Sequence, residues 1–187
     1  MYYIKEKNYI MGIKTYIEYI NNFIKENNLE IAENILLKCL NDCENNIDYT
    51  FFQIYSDVVF SKYLNILCLN KKYEEAIKMI ENHIKINLKK EKEDFYQINQ
   101  MYIKLALVKI LYNKESDIAQ IIKKMSKLKY DNVNEDINDL KEFIDSLNNA
   151  NKIKFDYYIY SSYLLFEENL ISNLKKLFNE KNNVNIT

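Results

Sequence analysis

The chain has 187 residues, of which 48% are hydrophobic and 28% charged, with a formal charge of −1. That length fits one domain (1–187) with core enough to need no covalent staple. All 26 basic residues are lysines interleaved with acids, which excludes the arginine-bearing basic stripe of a nucleic-acid binder.

Proline is absent and Gly12 is the single glycine. These residues punctuate sheets and tight turns. Their scarcity, beside abundant Ile, Leu, Lys, Glu and Asn, predicts an all-α fold joined by Asn-rich turns. Lys, Asn, Ile and Tyr share AT-rich codons. The 17 tyrosines therefore read as the mark of an AT-rich bacterial or phage genome before they read as a binding surface. The longest apolar run, "YYIYSSYLLF" at 157–166, contains two serines and is shorter than the roughly 18 residues of a membrane span. No secretory leader is apparent, so the expectation is a soluble, cytoplasmic protein without a membrane partner. Three cysteines, an odd number, do not suggest a disulfide framework.

A long apolar helix is predicted over about 9–26. In the next segment, "LEIAENILLKCLNDC", residues Leu29, Ala32, Leu36, Cys39, Leu40 and Cys43 share one helical face. A second long helix follows over 48–69. The stretch "NKKYEEAIKMIENHIKIN" then sets Tyr73, Ala76, Ile77, Ile80 and Ile84 on one face and Glu74, Lys78, Glu81, Asn82 and Lys85 on the other. A third long helix over 94–113 precedes "ESDIAQIIKKMSKLK", whose stripe is Ile118, Ile121, Ile122, Met125 and Leu128. Leu29 to Tyr73 spans 44 positions, as does Ala32 to Ala76. For the third copy, matching faces (Tyr73 to Ile118) gives 45, and matching alanines (Ala76 to Ala119) gives 43. The faces are the sounder guide, because burial follows the stripe. Asp48 and Asp94 stand at N-cap positions. The breaks at 26–28, 70–72 and 113–115 carry asparagine, which accepts the left-handed conformation that ends a helix. Breaks so short imply antiparallel hairpins at about 9–44, 48–87 and 94–129. An extra helix is predicted over 135–148. A degenerate hairpin over 155–178 begins at Asp156-Tyr157 and is followed by a polar tail. The expectation is a right-handed array of about eight or nine helices.

Paired helices with Ala32 and Ala76 at tight contacts, and Tyr73 ahead of the latter, resemble the tetratricopeptide (TPR) class. The 44-residue spacing exceeds that repeat's 34, and HEAT-like arrays, with periods nearer to 44, are the structural alternative. The pattern also distantly resembles the peptide-sensing domains of Gram-positive quorum-sensing regulators, without room before residue 9 for their DNA-binding module. The resemblance implies a protein or peptide partner held in a groove lined by the first helices of the hairpins. On the second long helix Gln53, Asp57, Ser61 and Asn65 recur every four residues; Gln97, Gln100 and Lys104 follow on the third. The first carries Lys14, Glu18, Asn21 and Lys25. Amide side chains both donate to and accept from a peptide backbone. The partner-binding candidates are therefore Asn21, Gln53, Asp57, Ser61, Asn65, Gln97, Gln100 and Lys104, against the plainer reading of solvated helix faces.

The function expected is a non-enzymatic adaptor or scaffold. The alternative is a peptide-responsive regulator or a phage- or plasmid-encoded inhibitor of a host protein. One histidine, no glycine-rich loop and no G-x-S-x-G elbow leave catalysis without a signature. Cys39, Cys43, Cys68 and His83 could in principle bind zinc. Both Cys39 and Cys43 lie in an apolar stripe, where cysteine acts as a small hydrophobe, so no metal or cofactor is expected. The aromatic-rich segment Phe155, Tyr157, Tyr158, Tyr160, Tyr163 and Phe166 exceeds one helical face, which suggests a homodimer through the C-terminal hairpin.

Overall fold

The computed structural model describes residues 9–46, 49–89, 94–129, 131–161 and 168–182, with side chains described over 11–39, 58–89, 94–129, 131–159 and 171–182. Among the described residues the protein is all-helical, with nine α-helices, one 3-10 turn and no strand. The helices are α1 (Tyr9–Lys25), α2 (Leu29–Asn46), α3 (Tyr49–Leu69), α4 (Tyr73–Asn87) and α5 (Phe95–Leu111). They continue as α6 (Ile118–Met125), α7 (Val133–Asn148), α8 (Lys152–Ser161) and α9 (Glu168–Lys181), with the 3-10 turn Glu115–Asp117 ahead of α6. The chain divides into two compact units, Met1–Lys72 and Tyr73–Thr187, the boundary falling inside the hairpin expected over 48–87.

In the first unit α2 packs on both α1 and α3. Its core gathers Ile13, Tyr16 and Ile20 from α1, Ala32, Leu36 and Cys39 from α2, and Val59 and Ile66 from α3. Ala32 and Leu36 lie on the stripe read from the sequence. Leu40, Cys43 and Asp48 fall outside the described side chains. One acid interrupts the apolar arc. Glu33 is buried and accepts from Asn70 Nδ2 at 2.9 Å and from Lys72 Nζ at 2.8 Å, tying the start of α2 to the turn after α3.

In the second unit α5 packs on α4, α6 and α9, and α7 packs on α6, α8 and α9. On α4, Ala76, Ile77, Ile80 and Ile84 are buried and Glu74, Lys78, Glu81, Asn82 and Lys85 are exposed, as periodicity requires. Ile118 is buried while Ala119 is exposed, so the 45-residue match of faces is the structural one. Asp94 caps α5 through Oδ1, which accepts from the Gln97 backbone N–H at 3.0 Å.

The C-terminal helices depart from the sequence reading. Asp156 does not open a helix. It lies inside α8, which starts at Lys152 behind Asn151, whose Oδ1 accepts from the Lys154 backbone N–H at 3.1 Å. The last helix runs to Lys181, beyond the expected end at 178. The reason is long-range anchoring. Lys181 bonds Glu115, and Asn182 Nδ2 donates to Leu147 O at 3.1 Å and to Phe178 O at 2.9 Å. Phe155 stacks between Phe143 (5.5 Å) and Phe178 (4.3 Å), joining α7, α8 and α9.

Four helices end in left-handed residues, none of them glycine: Asn27, Lys71, Asn113 and Ala150, with φ from 56° to 58°. After α1 the Asn28 N–H bonds Phe23 O and the Asn27 N–H bonds Ile24 O, the two crossed bonds of a Schellman closure. The same pair recurs at Lys72 to Leu67 with Lys71 to Cys68, and at Lys114 to Lys109 with Asn113 to Ile110. Asparagine tolerates this conformation, whereas lysine and alanine carry a Cβ penalty of roughly 1 kcal/mol. Lys71→Gly and Ala150→Gly are therefore each expected to stabilise the protein by about 1 kcal/mol, near 2–4 °C in melting temperature. Calorimetry checks this, and unchanged or lower transitions for both variants would contradict the closure mechanism.

Candidate functional site

Burial divides the eight candidate residues. Asn65 is fully buried, and Gln100 and Lys104 are buried on α5. Asn21, Ser61 and Gln97 are half-buried. The side chains of Gln53 and Asp57 lie outside the described residues. For α5 the physical reason is its central position: every residue from Ile98 to Val108 is buried, so its polar side chains face protein and not an open groove. The line on α1 is different. Lys14, Glu18 and Lys25 are exposed beside Asn21. Next to this line, at i, i+4, i+8 and i+11, run Met11, Thr15, Tyr19 and Asn22. Tyr19 is 57% exposed and Met11 43%. The opposite side of α1 carries Ile13, Tyr16 and Ile20 into the core.

Charged groups elsewhere are engaged in fastening helices. Lys109 bonds Asp117 at 2.7 Å, and that contact holds the Asp117 carboxyl below the usual aspartate range. Tyr112 donates to Glu74 at 2.6 Å; the bond lowers the Glu74 pKa and raises that of the Tyr112 hydroxyl. Lys114 sits 4.3 Å from the centroid of the Tyr112 ring, and the Tyr73 and Tyr112 ring centroids are 5.7 Å apart. This group joins the start of α4 to the end of α5. Periodicity gave no notice of the pairing, since Tyr112 and Glu74 are 38 positions apart.

Cys39 and Cys68 are buried, and burial pushes the Cys68 thiol up to about 12, so it stays protonated near neutrality. His83 is half-buried, and its backbone carbonyl accepts from Asn87 Nδ2 at 2.9 Å. Among the described residues, no three His, Cys, Asp or Glu side chains are grouped to hold a metal ion. A cleft of about 150 Å³ between α8 and α9 is lined by Lys152, Phe155, Asp156, Lys175, Phe178 and Asn179. Lys152 already bonds Asp156, and the lining contains no hydroxyl, thiol or imidazole nucleophile. No helix among the described residues is long and apolar enough to cross a membrane. In the C-terminal aromatic segment Phe155 is core, Tyr157 is 63% exposed and Tyr158 half-buried. Tyr160, Tyr163 and Phe166 lie outside the described side chains.

Two candidate residues can be separated by their burial. Asn65→Ala is expected to lower the melting temperature, because a buried amide removed from its surroundings costs about 1–3 kcal/mol. Gln97→Ala, at a half-buried side chain, should stay within about 0.5 kcal/mol of the parent. Thermal denaturation of both variants checks the ordering. Comparison with protein-family models, with curated proteins and with solved structures gives no match for this chain.

Proposed function

We propose that the chain is a non-enzymatic binding module for a protein or peptide segment, built as a right-handed array of antiparallel TPR-like hairpins. The observation that carries this reading is the outer face of α1. It sets exposed Met11 and Tyr19 alongside exposed Lys14, Glu18 and Lys25, with Asn21 at their edge. Tyrosine and methionine supply apolar contact area, and the flanking charges and amide supply direction and hydrogen bonds. A partner segment lying along α1 would thus meet both kinds of contact within about four helical turns. Asn65, Gln100 and Lys104 are buried and offer no surface to a partner, and of the candidate residues Asn21 lies on this face.

The test uses the purified protein as bait in a lysate of the cells that make it, with a Lys14→Glu, Tyr19→Ser double variant as the control. A partner retained by the parent and identified by mass spectrometry is then titrated calorimetrically against both. The double variant is expected to bind at least tenfold more weakly while melting at the same temperature. Equal affinities for the purified partner would remove the α1 surface from the proposal.

A second observation favours self-association through α8, where Ile153 is 85% exposed one turn before Tyr157. On that reading the parent dimerises as concentration rises and Ile153→Glu stays monomeric. Light scattering that finds the parent monomeric at high concentration would sink it.

A further inference from the structure

Asn99 on α5 is fully buried. Its Nδ2 donates to Asp136 Oδ2, in the first turns of α7, at 2.5 Å. Its Oδ1 is equally buried and, among the described residues, accepts no hydrogen bond. Such orphaned acceptors are rare in protein interiors, because the lost hydration is not replaced. The chemistry of the neighbour explains the vacancy. An ionised carboxylate only accepts, so it answers the Asn99 N–H but cannot answer the carbonyl. A neutral carboxyl carries one O–H donor and one acceptor, the complement of an amide. The terminal torsions of Asn and Asp are broad, which lets both groups turn to meet.

We propose that Asp136 and Asn99 form a proton-operated latch between α5 and α7. With a proton bound, Asp136 donates to Asn99 Oδ1 while accepting from Nδ2, and both buried amide groups are satisfied. With the proton lost, Oδ1 has no donor and the carboxylate stands among other acids.

The charges acting on Asp136 are Asp139 and Glu135, both acidic and both on α7. No cation of the neighbouring elements is among the charges acting on Asp136. On α8, Lys154 bonds Glu142 at 2.7 Å, and Tyr158 lies in the field of Asp139 and Glu142. On α9, Lys181 bonds Glu115 and Asn148. On α5, Lys109 bonds Asp117, and Lys104 is buried. On α6, Lys123 and Lys124 are exposed in the last turn. Consistently, burial first, then Asp139 and Glu135, raise the Asp136 carboxyl above the usual aspartate range, against a smaller lowering by Asn99.

The sign of the pH effect follows. A carboxyl whose folded pKa lies above its unfolded value of about 3.9 takes up protons on folding. Its contribution is fully present below the unfolded pKa and is lost as pH rises through the folded pKa. The paired acids Asp117 and Glu74 act with the opposite sign, so the latch is read as a difference between two proteins.

Asp136→Asn keeps the shape and supplies an N–H at every pH. It is expected to melt a few degrees above the parent at pH 7, with the gap closing as pH falls through the raised folded pKa of Asp136 and gone below the unfolded value of about 3.9. In the parent, the Asp136 carboxyl carbon should titrate above the ordinary aspartate value by NMR, and the Asn99 side-chain amide signals should move with the same midpoint. A gap that is absent or independent of pH would overturn the latch. If the variant does not fold, the parent's spectra decide, and Asn99 amide signals that ignore the Asp136 titration would equally overturn it.

Discussion

The structure depends on closing helices without glycine. A chain with one glycine and no proline must still end several helices at short breaks. It does so by driving Asn27, Lys71, Asn113 and Ala150 into the left-handed region. At the first three of these sites, crossed bonds from that residue's own N–H and from the next N–H to carbonyls of the last turn complete the closure. These closures satisfy carbonyls that would otherwise point into nothing, and they fix where the following helix starts. The apolar stripes of α2, α4 and α6 are then in place to be buried. The Glu33 pairing with Asn70 and Lys72 shows the coupling, since the turn residues that close α3 also neutralise an acid buried in α2.

The second constraint is the treatment of polar groups inside. α5 is covered nearly all round, yet it carries Asn99, Gln100 and Lys104 in its buried span. Burying such groups is tolerable only when they are answered by partners. Lys109 finds Asp117, and Asn99 finds Asp136 with one of its two groups. A central helix of this kind contributes cohesion to its unit. It leaves little free surface for a ligand.

Local stripes were legible in the sequence because they depend on a period of 3.6 and on nothing distant. Ala32 and Leu36, Ala76 to Ile84, and Ile118 with Met125 are buried where that period puts them. The Asp94 cap was legible for the same reason, its partner being three residues away. The start of α8 at Asn151 and the extension of α9 to Lys181 were not. Lys181 and Glu115 are 66 positions apart, and Asn182 and Leu147 are 35 apart, so no local pattern announces them. The candidate site was legible only in part. A line of amides at four-residue spacing looks the same from sequence whether the helix is covered on one side or on all sides. Asn65 and Lys104 prove to be interior, while Lys14 and Glu18 face outward.

That distinction bears on where recognition can reside. A helix can serve a partner only with the arc its own core leaves free. α1 commits Ile13, Tyr16 and Ile20 to the core and keeps an opposite arc in which apolar and charged side chains alternate. α5 has no such arc from Ile98 to Val108. Amphipathicity, which first marks a helix as packed on one side, therefore also marks the helix able to bind. The nearly uniform burial of the central helix argues that its polar residues serve the fold, and in Asn99 and Asp136 the response of that fold to protons.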